Sequence, residues 1–308
     1  MAHIVVLCSG QGAQNAGMFS LLANAPEAEP VFKAAQLVLR GKDPREVVQL
    51  ATDDVLHENS IGQVLCCTQA MAAWAVIRDK LQDPIVVAGY SVGELAAWGV
   101  AGIIDEGQVL NLAAQRAEAM DAATLEPSGL LAVHGLQHRV LQTICIEHGA
   151  YIAIVNAPDR LIVGGTRKAL DAVTRDVNSK NGSHVTPIPV GVASHTPLLR
   201  EASLRFDGFL QREHLRCAVP MGVRLLSGID GDSVFDVALG AAKLARQIQT
   251  TVNWMACMRT CSESGLSKAI ELGPGRALAR MMLDTQPDVD VRSILDFHSL
   301  AGLRDWIG

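Results

Sequence analysis

The stretch from Ile85 to Gly102 constrains the fold of this chain most strongly. It opens with a β-branched run that is typical of a buried strand, passes through G-Y-S-V-G at 89–93, and continues as a helix of small residues. Strand, G-x-S-x-G and helix in this order are the signature of a nucleophile elbow, whose tight turn exposes a serine. The helix N-terminus then directs N–H groups towards an oxyanion. We therefore predict Ser91 as a nucleophile, the alternative being a chance match in a chain with 27 glycines.

Length and composition fit one large globular domain, or a large domain with an insertion, because 308 residues with 49% hydrophobic content can bury a sizeable core. A net charge of −6 favours neither nucleic acid nor an anionic membrane as partner. The seven cysteines show no metal-ligand spacing, so no metal site and a reduced, cytoplasmic protein are expected. No signal peptide or membrane span is predicted, since residues 3–7 already resemble a first strand.

The N-terminal third favours a parallel α/β sheet. His3–Cys8 is a predicted strand that runs into Ser9-Gly10-Gln11-Gly12-Ala13-Gln14, at the position where such sheets bind ligands. The alternative for this segment is a solvated glycine turn. Ser60 is the predicted cap of a long helix from Ile61 to Leu81, which would cross over to the strand of the elbow.

An arginine stands out on the next predicted helix, which is capped by Asp105 and ends near Ala123. Arg116 falls on the apolar stripe of this helix, where an unpaired guanidinium costs several kcal/mol. Two interpretations remain open. The arginine forms a structural ion pair or extends to the surface, or its guanidinium binds an anionic substrate with two parallel hydrogen bonds.

From Gly129 the pattern changes to β-α-β-β-α-β, which is typical of ferredoxin-like modules. We therefore predict a larger α/β-hydrolase-like domain with a mainly parallel sheet, formed by residues 1–127 and 191–308. A ferredoxin-like subdomain of residues 128–190 would be inserted in it. The cleft between the two is the expected place for a small-molecule site. The predicted elements of the insertion are strands at 130–134, 151–156, 161–164 and 184–189, and helices at 138–148 and 166–179.

A histidine is fixed where the chain returns to the larger domain. In Val192-Ala193-Ser194-His195-Thr196-Pro197, Thr196 is the predicted N-cap and Pro197 the first helical residue, so His195 lies at a strand-to-helix junction. Most of the nine histidines are expected to be solvated or to fill the core, but this one has a fixed backbone. Further elements are predicted as helices at 198–213, 237–248 and from 251, strands at 222–226 and 268–272, and a strand and a short helix within 293–306.

Six motifs in order resemble the malonyl-CoA:acyl-carrier-protein transacylase family. They extend over nearly the whole chain, and the predicted insertion falls where that family has one. The motifs are G-Q-G-A-Q (10–14), G-Y-S-V-G-E (89–94), Q-R-A-E-A-M (115–120), V-A-S-H-T-P (192–197), Q-I-Q-T-T-V-N-W (247–254) and E-L-G-P-G (271–275).

The resemblance implies a ping-pong acyltransferase with a Ser-His dyad. Ser91 would take the malonyl group from malonyl-CoA, and His195 would act as general base and then as acid. The substrate carboxylate would bind Arg116. A carrier-protein thiol would then collect the malonyl group, and no resident cofactor is implied. The remaining implied roles are the oxyanion hole for the backbone N–H groups of Gln11 and Val92, orientation of the histidine for the carbonyl of Gln247, and pocket lining for Tyr90, Asn156, Val192 and Ser194.

Malonyl is the acyl group that the resemblance favours. In related domains a branched aliphatic residue after the serine accompanies malonyl, and Val92 stands there. The segment around His195 is similar to that of bacterial malonyl transacylases. The clearest departure is Tyr90, where the family usually has histidine.

Tyr90 and the closing D-F-H-S-L-A-G-L-R-D-W-I resemble the epsilon subunit of malonate decarboxylase. In that system a malonyl transferase primes a carrier subunit that bears a phosphoribosyl-dephospho-CoA group. The alternative acceptor is the phosphopantetheine thiol of an acyl carrier protein in fatty-acid or polyketide synthesis.

Two hypotheses from other classes compete with this one. An α/β-hydrolase would combine Ser91 with Asp230 or Asp232 and with His298, but its usual glycine-rich oxyanion segment is absent from the sequence. A non-catalytic subunit for carrier docking would keep the fold, although intact Ser91, His195 and Arg116 argue against it. The slight basic excess at 166–180 suggests a carrier-docking face, and a solvated helix face is its simpler explanation.

Overall fold

The computed structural model describes residues 3–81 and 84–308, without the side chain of His3. In chain order the strands are β1 His3–Cys8, β2 Ile85–Gly89, β3 Ser128–His134, β4 Tyr151–Ala157, β5 Arg160–Thr166, β6 His184–Ile188, β7 Val223–Leu225, β8 Leu266–Leu272 and β9 Asp290–Ser293.

The α-helices fill the intervals between these strands. They are α1 Glu29–Val38, α2 Pro44–Leu50, α3 Asp53–Leu56, α4 Asn59–Ile77, α5 Gly93–Val100, α6 Glu106–Ala123, α7 His138–His148, α8 Arg167–Asn178, α9 Arg200–Leu210, α10 Val237–Arg246, α11 Trp254–Glu263, α12 Ala277–Thr285 and α13 Leu300–Ile307.

The first sheet has the order β7-β2-β1-β8-β9, and all of its neighbouring strands run parallel. Cys8 at the end of β1 is in register with Gly89 of β2 on one side and with Leu272 of β8 on the other. The loops that follow these three strands therefore meet at one edge of the sheet. This is the edge at which open parallel sheets bind ligands.

The second sheet is antiparallel and has the order β4-β5-β3-β6. This is the order of a split βαβ unit, since β5 lies between β3 and β4, and β3 lies between β5 and β6. Its helices α7 and α8 pack on each other and on its strands around a small hydrophobic core. The mixed α/β class with one parallel and one antiparallel sheet is confirmed. The division into two domains at 127/128 and 190/191 stays a prediction, as does the likeness to α/β-hydrolases.

The main core lies around the first sheet and contains nearly all of α4 and α5. One stretch, Asn59–Lys80, is long and apolar enough to cross a membrane by length and composition, but 78% of its most apolar window is buried inside the protein. Such burial is typical of a core helix. Glycines and alanines on α5 let it pack closely on α4, and a Cβ at Gly99 would collide with Met71.

Several helix starts differ from the predictions. Ser60 lies inside α4, whose N-cap is Glu58 without a side-chain hydrogen bond, so the predicted Ser60 cap is wrong. Thr196 does precede a helical turn, but its hydroxyl donates to the carbonyl of Ala193 instead of capping that turn. The start of α11 is fixed by Asn253, whose side chain accepts from the N–H of Ala256, and not by Thr251.

The predicted boundaries at the C-terminal end also shift. The closing strand β9 lies at Asp290–Ser293, whereas it was predicted within 293–306. Ser293 begins a short helical turn with a capping box to Asp296. Asp105 caps α6 as predicted, and it also forms a capping box with Gln108.

A stability measurement tests the close packing at the elbow. In Gly89→Ala the new Cβ would collide with the backbone of Gly93 and Glu94, so the free energy of unfolding should fall by about 2 kcal/mol or more. Chemical denaturation measures the change. The matched control is Gly208→Ala inside α9, where a Cβ meets no atom within 4 Å and the protein should become slightly more stable. Equal effects of the two substitutions would contradict this packing.

Candidate active site

Ser91 lies between the end of β2 and the start of α5, in a backbone conformation that is rare for residues other than glycine. Its φ is +56°, which is the left-handed region. The turn is tight because Gly93 packs against the carbonyl of Cys8, where no Cβ would fit. The N–H of Tyr90 donates to the same carbonyl at 2.9 Å. Strain of this kind persists only when surrounding structure holds it, and it concentrates at functional sites.

His195, which follows the last strand of the second sheet in the chain, contacts this serine. Its Nε2 lies 2.7 Å from Ser91 Oγ, and its Nδ1 lies 2.7 Å from the backbone carbonyl of Gln247. A carbonyl only accepts, so Nδ1 carries the proton and Nε2 is left to accept from the serine hydroxyl. His195 also has a positive φ, +62°, and its N–H donates to the carbonyl of Ile248.

The imidazole of His195 is neutral over the physiological pH range. Burial, and next the charge of Arg116, lower the pKa of His195 to about 3, although its hydrogen bond to Gln247 acts in the opposite direction. A histidine whose pKa lies below the working pH keeps Nε2 unprotonated. The side chain is thus in the form that accepts a proton from Ser91.

Arg116 is 1% exposed, and no carboxylate lies within 4 Å of its guanidinium among residues 3–81 and 84–308. It donates instead to two neutral amide oxygens, those of Gln63 at 2.7 Å and Gln247 at 3.2 Å. Burial lowers the pKa of Arg116 to about 10, so the side chain remains charged at neutral pH. The ion-pair interpretation of this arginine is therefore not what the structure shows. The site contains a buried cation that an anionic group would neutralise.

Two backbone N–H groups are candidates for an oxyanion hole, one on the loop after β1 and one on the residue that follows Ser91. Those of Gln11 and Val92 have no hydrogen-bond acceptor in the described part of the chain. Gly10 brings the loop after β1 against the serine, since a Cβ there would lie 3.5 Å from the Cβ of Ser91. The side-chain nitrogen of Gln11 is also buried without a partner within the described ranges. Unpaired N–H groups next to a serine suit the stabilisation of an oxyanion.

The largest of the described cavities, about 680 Å³, opens between the two sheets. Tyr90, Gln11 and Asn156 lie on its wall, and the Tyr90 ring packs edge-on against Trp254 at 5.2 Å between centroids. Burial raises the pKa of Tyr90 above its usual range, so the phenol remains neutral. Residues of β3, β5 and α12 complete the wall, whereas Ser91 and His195 are not part of it.

The other two candidate lining residues lie elsewhere. Val192 is buried in the main core and contributes to a separate cavity of about 530 Å³ beside Asn59. Ser194 is buried, with its carbonyl facing Gly164 of β5. The structure therefore does not place these two residues on the wall of the 680 Å³ cavity.

Sequence reasoning missed two buried polar residues of the site. Gln63 accepts from Arg116 and donates to Asn59, and Glu94 accepts from the side-chain amide of Gln247 at 2.5 Å. A glutamine in the middle of the apolar helix α4 and an acid directly after the elbow were the available signals. Each was hidden because its partner lies more than 50 positions away.

The residues of the rival hydrolase arrangement are not assembled at the serine. His298 is exposed, and Asp230 forms an ion pair with Lys243 at 2.6 Å.

At the surface of the second sheet, Glu147, His148 and Asp176 bring ligand-type atoms within 4.8 Å of one another. This cluster is solvated, and its histidine bonds the carboxylate of Asp176 at 2.7 Å.

Comparison with known proteins agrees with this geometry. A family model described as "Acyl transferase domain" matches residues 5–207, which is about two thirds of the chain. The chain belongs to the acyl transferase family. The acyltransferase is 30% identical over 309 residues to "Malonyl CoA-acyl carrier protein transacylase" of Mycobacterium tuberculosis strain H37Rv, covering 97% of this chain and 100% of the relative.

Solved structures of similar proteins share the whole fold of the acyltransferase. The crystal structure of MCAT from Mycobacterium tuberculosis is 25% identical with a TM-score of 0.90, over 99% of this chain and 100% of that one. A structure of a malonyl-transacylase in complex with a type II PKS acyl-carrier protein contains an equally similar chain, at 25% identity and a TM-score of 0.90, over 99% of each chain.

Labelling of Ser91 by a fluorophosphonate probe tests the assignment of the base. In His195→Ala the labelling rate should fall by about 10²- to 10⁴-fold, because the serine loses its proton acceptor. The matched control His298→Ala should label at the wild-type rate. The opposite pattern, with His298 required and His195 dispensable, would overturn the dyad in favour of the hydrolase arrangement.

Proposed function

We propose that this acyltransferase moves a malonyl group from malonyl-CoA, through an ester on Ser91, to the thiol of an acyl carrier protein. The observation that carries the proposal is the charge of Arg116. It is buried, it has only neutral hydrogen-bond partners, and it is connected through Gln247 to Ser91 and His195. A malonyl thioester has a free carboxylate at the far end of its acyl group, which such a cation would bind.

Acylation uses the groups around Ser91. His195 Nε2 takes the hydroxyl proton as Oγ attacks the thioester carbonyl carbon, and the N–H groups of Gln11 and Val92 stabilise the oxyanion, which is worth about 10²- to 10³-fold in rate per donor. The carbon–sulfur bond then breaks, and the imidazolium of His195 protonates the leaving CoA thiolate. The carbonyl of Gln247 keeps the ring oriented through both proton transfers.

Transfer to the carrier reverses these steps. The carrier thiol gives its proton to His195 and attacks the Ser91 ester, and the serine leaves with that proton. The cavity between the two sheets has room for a pantetheine-type arm, with Tyr90 and Asn156 on its wall. Closely packed surroundings also limit water, which would otherwise hydrolyse the ester.

The acceptor is proposed as an acyl carrier protein with a phosphopantetheine arm. The similar proteins named above are malonyl transacylases, and one of them is in complex with its acyl-carrier protein. Priming of a malonate decarboxylase carrier is the second candidate. It rests on Tyr90 of the elbow, which packs on Trp254 beside the cavity that would receive the arm.

The cytoplasm is the proposed compartment. All seven cysteines are free and six of them are buried, as expected of a protein that folds under reducing conditions.

Intact-mass spectrometry with malonyl-CoA tests the proposed reaction. The wild-type protein should gain one malonyl group, and peptide mapping should place it on Ser91. The control Ser91→Ala should gain none. If the folded wild-type protein gains no adduct, the proposal fails and the carrier-docking hypothesis takes its place.

The malonyl-labelled enzyme also distinguishes the two proposed acceptor carriers. The malonyl group should pass to a carrier with ordinary phosphopantetheine faster than to a carrier with the phosphoribosyl-dephospho-CoA group. The reverse order would favour the malonate decarboxylase role.

The ratio of malonyl to acetyl transfer tests the role of Arg116. In Arg116→Ala, kcat/KM for malonyl-CoA should fall by about 10²-fold or more, because the acyl carboxylate loses a buried charged partner. Acetyl-CoA has no carboxylate, so its kcat/KM should fall much less. Glu118→Ala, on the exposed face of the same helix, is the control and should keep the wild-type ratio. An unchanged ratio in Arg116→Ala would contradict carboxylate binding.

A further inference from the structure

Gln247 is hydrogen-bonded to the base, the cation and the nucleophile segment at once. Its backbone carbonyl accepts from His195 at 2.7 Å, and its side-chain oxygen accepts from Arg116 at 3.2 Å. Its side-chain nitrogen donates to the backbone carbonyl of Ser91 at 3.2 Å and to Glu94 Oε2 at 2.5 Å. The side chain is fully buried. Its side-chain amide thus contacts the serine segment and the arginine, and its backbone carbonyl contacts the histidine.

Glu94 is the residue that holds the other end of this amide. It lies in the first turn of α5, is 1% exposed, and accepts a second hydrogen bond from the N–H of Gly228 at 3.1 Å. There is no space for a side chain at Gly228, since a Cβ would lie 2.6 Å from the Glu94 carboxylate. Glu94 thus joins the elbow helix to the segment after β7 and to the end of α10.

We propose that Glu94 is a positioning residue for the acyl-transfer site, acting through the side-chain amide of Gln247. The reason is a match of donors and acceptors. A carboxylate only accepts, so the NH₂ group of the amide must face Glu94, and a guanidinium only donates, so the amide oxygen must face Arg116. The two bonds anchor the side chain of Gln247, and we infer that this restrains its backbone carbonyl, which accepts from His195 Nδ1.

The arrangement also separates two opposite charges. Burial raises the pKa of Glu94 to about 7, while its hydrogen bonds from Gln247 and Gly228 and the charge of Arg116 favour the ionised form. The carboxyl group and the guanidinium nevertheless form no ion pair within 4 Å. A direct pair would occupy the N–H groups that a substrate carboxylate needs. With Gln247 between them, the ionised form of Glu94 compensates part of the buried positive charge and leaves the guanidinium able to bind an anion. This second role rests on the proposed malonyl transfer, whereas the positioning of His195 does not.

Two substitutions at Glu94 test the proposal. Glu94→Ala removes the acceptor of Gln247, so the rate of Ser91 labelling by a fluorophosphonate should fall by about 10²-fold, as for a small misplacement of reacting groups. Glu94→Gln keeps a side-chain oxygen for the same two donors, and its labelling rate should recover to within about tenfold of the wild type. Among folded variants, the malonyl-to-acetyl ratio should fall in Glu94→Ala together with the labelling rate.

Further variants control for folding. Asp230→Asn removes a neighbouring carboxylate that does not bond Gln247, and it should label within about threefold of the wild type, since a partly exposed ion pair contributes little. If Glu94→Ala does not fold, Gln247→Met removes the same bridge, keeps the backbone carbonyl, and should show the same loss. Wild-type labelling in a folded Glu94→Ala or Gln247→Met, or no rescue by Glu94→Gln, would overturn the proposal.

The labelling probe separates this inference from the proposed function. Fluorophosphonate reacts with an activated serine whatever the natural acyl group is. If the wild-type protein labels but does not accept malonyl, the proposed function fails and the positioning role stands. If malonyl transfer is observed and Glu94→Ala labels normally, the positioning role alone fails.

Discussion

The hydrogen bond between Ser91 and His195 is the interaction on which the site depends, because both residues hold it from backbone conformations that are unfavourable for them. Each has a positive φ, and they lie 104 positions apart in sequence. On one side the close packing of Gly93 on the end of β1 forces the serine turn. On the other side, bonds to the carbonyls of Gln247 and Ile248 fix the histidine. The surrounding fold thus stabilises two strained backbone conformations, and as a result Ser91 Oγ meets the unprotonated Nε2 of His195.

The charged and titratable side chains of the site are buried, and Arg116 forms no direct ion pair. A buried guanidinium normally requires a carboxylate partner, and leaving it unpaired costs several kcal/mol. Here the side-chain amide oxygens of Gln63 and Gln247 accept hydrogen bonds from Arg116. Glu94 bonds the other end of the Gln247 amide and so does not contact the guanidinium. A substrate carboxylate then gains more from this cation than from one that is already paired. Burial, and next the same positive charge, lower the pKa of His195 and keep it neutral, which suits a base that must first accept a proton.

The sequence predicts local structure well where periodicity and turn chemistry agree. The strand at 3–8, the capped helix from Asp105 and the helix at 138–148 have the predicted bounds almost to the residue. Parallel pairing and the split βαβ order also follow, since crossover helices and short turns leave few alternatives. Helix starts are less predictable, and α4 begins without any side-chain cap, because burial of the whole helix outweighs a missing capping bond.

Within the site, residues that a local motif marks were predictable and residues that act through long-range polar contacts were not. G-x-S-x-G identifies Ser91, and an arginine on an apolar stripe identifies Arg116. Nothing local reveals that the Gln247 side chain joins Arg116 to Glu94, because that arrangement exists only once α5, α6 and the end of α10 are packed together.

The most direct measurement is a crystal structure of the wild-type protein after incubation with malonyl-CoA in the absence of a carrier protein. We expect an ester on Ser91 Oγ, with its carbonyl oxygen facing the N–H groups of Gln11 and Val92 and its free carboxylate within hydrogen-bond distance of the Arg116 guanidinium. A malonyl group whose carboxylate points into the open cavity, with Arg116 still bonded only to Gln63 and Gln247, would contradict it.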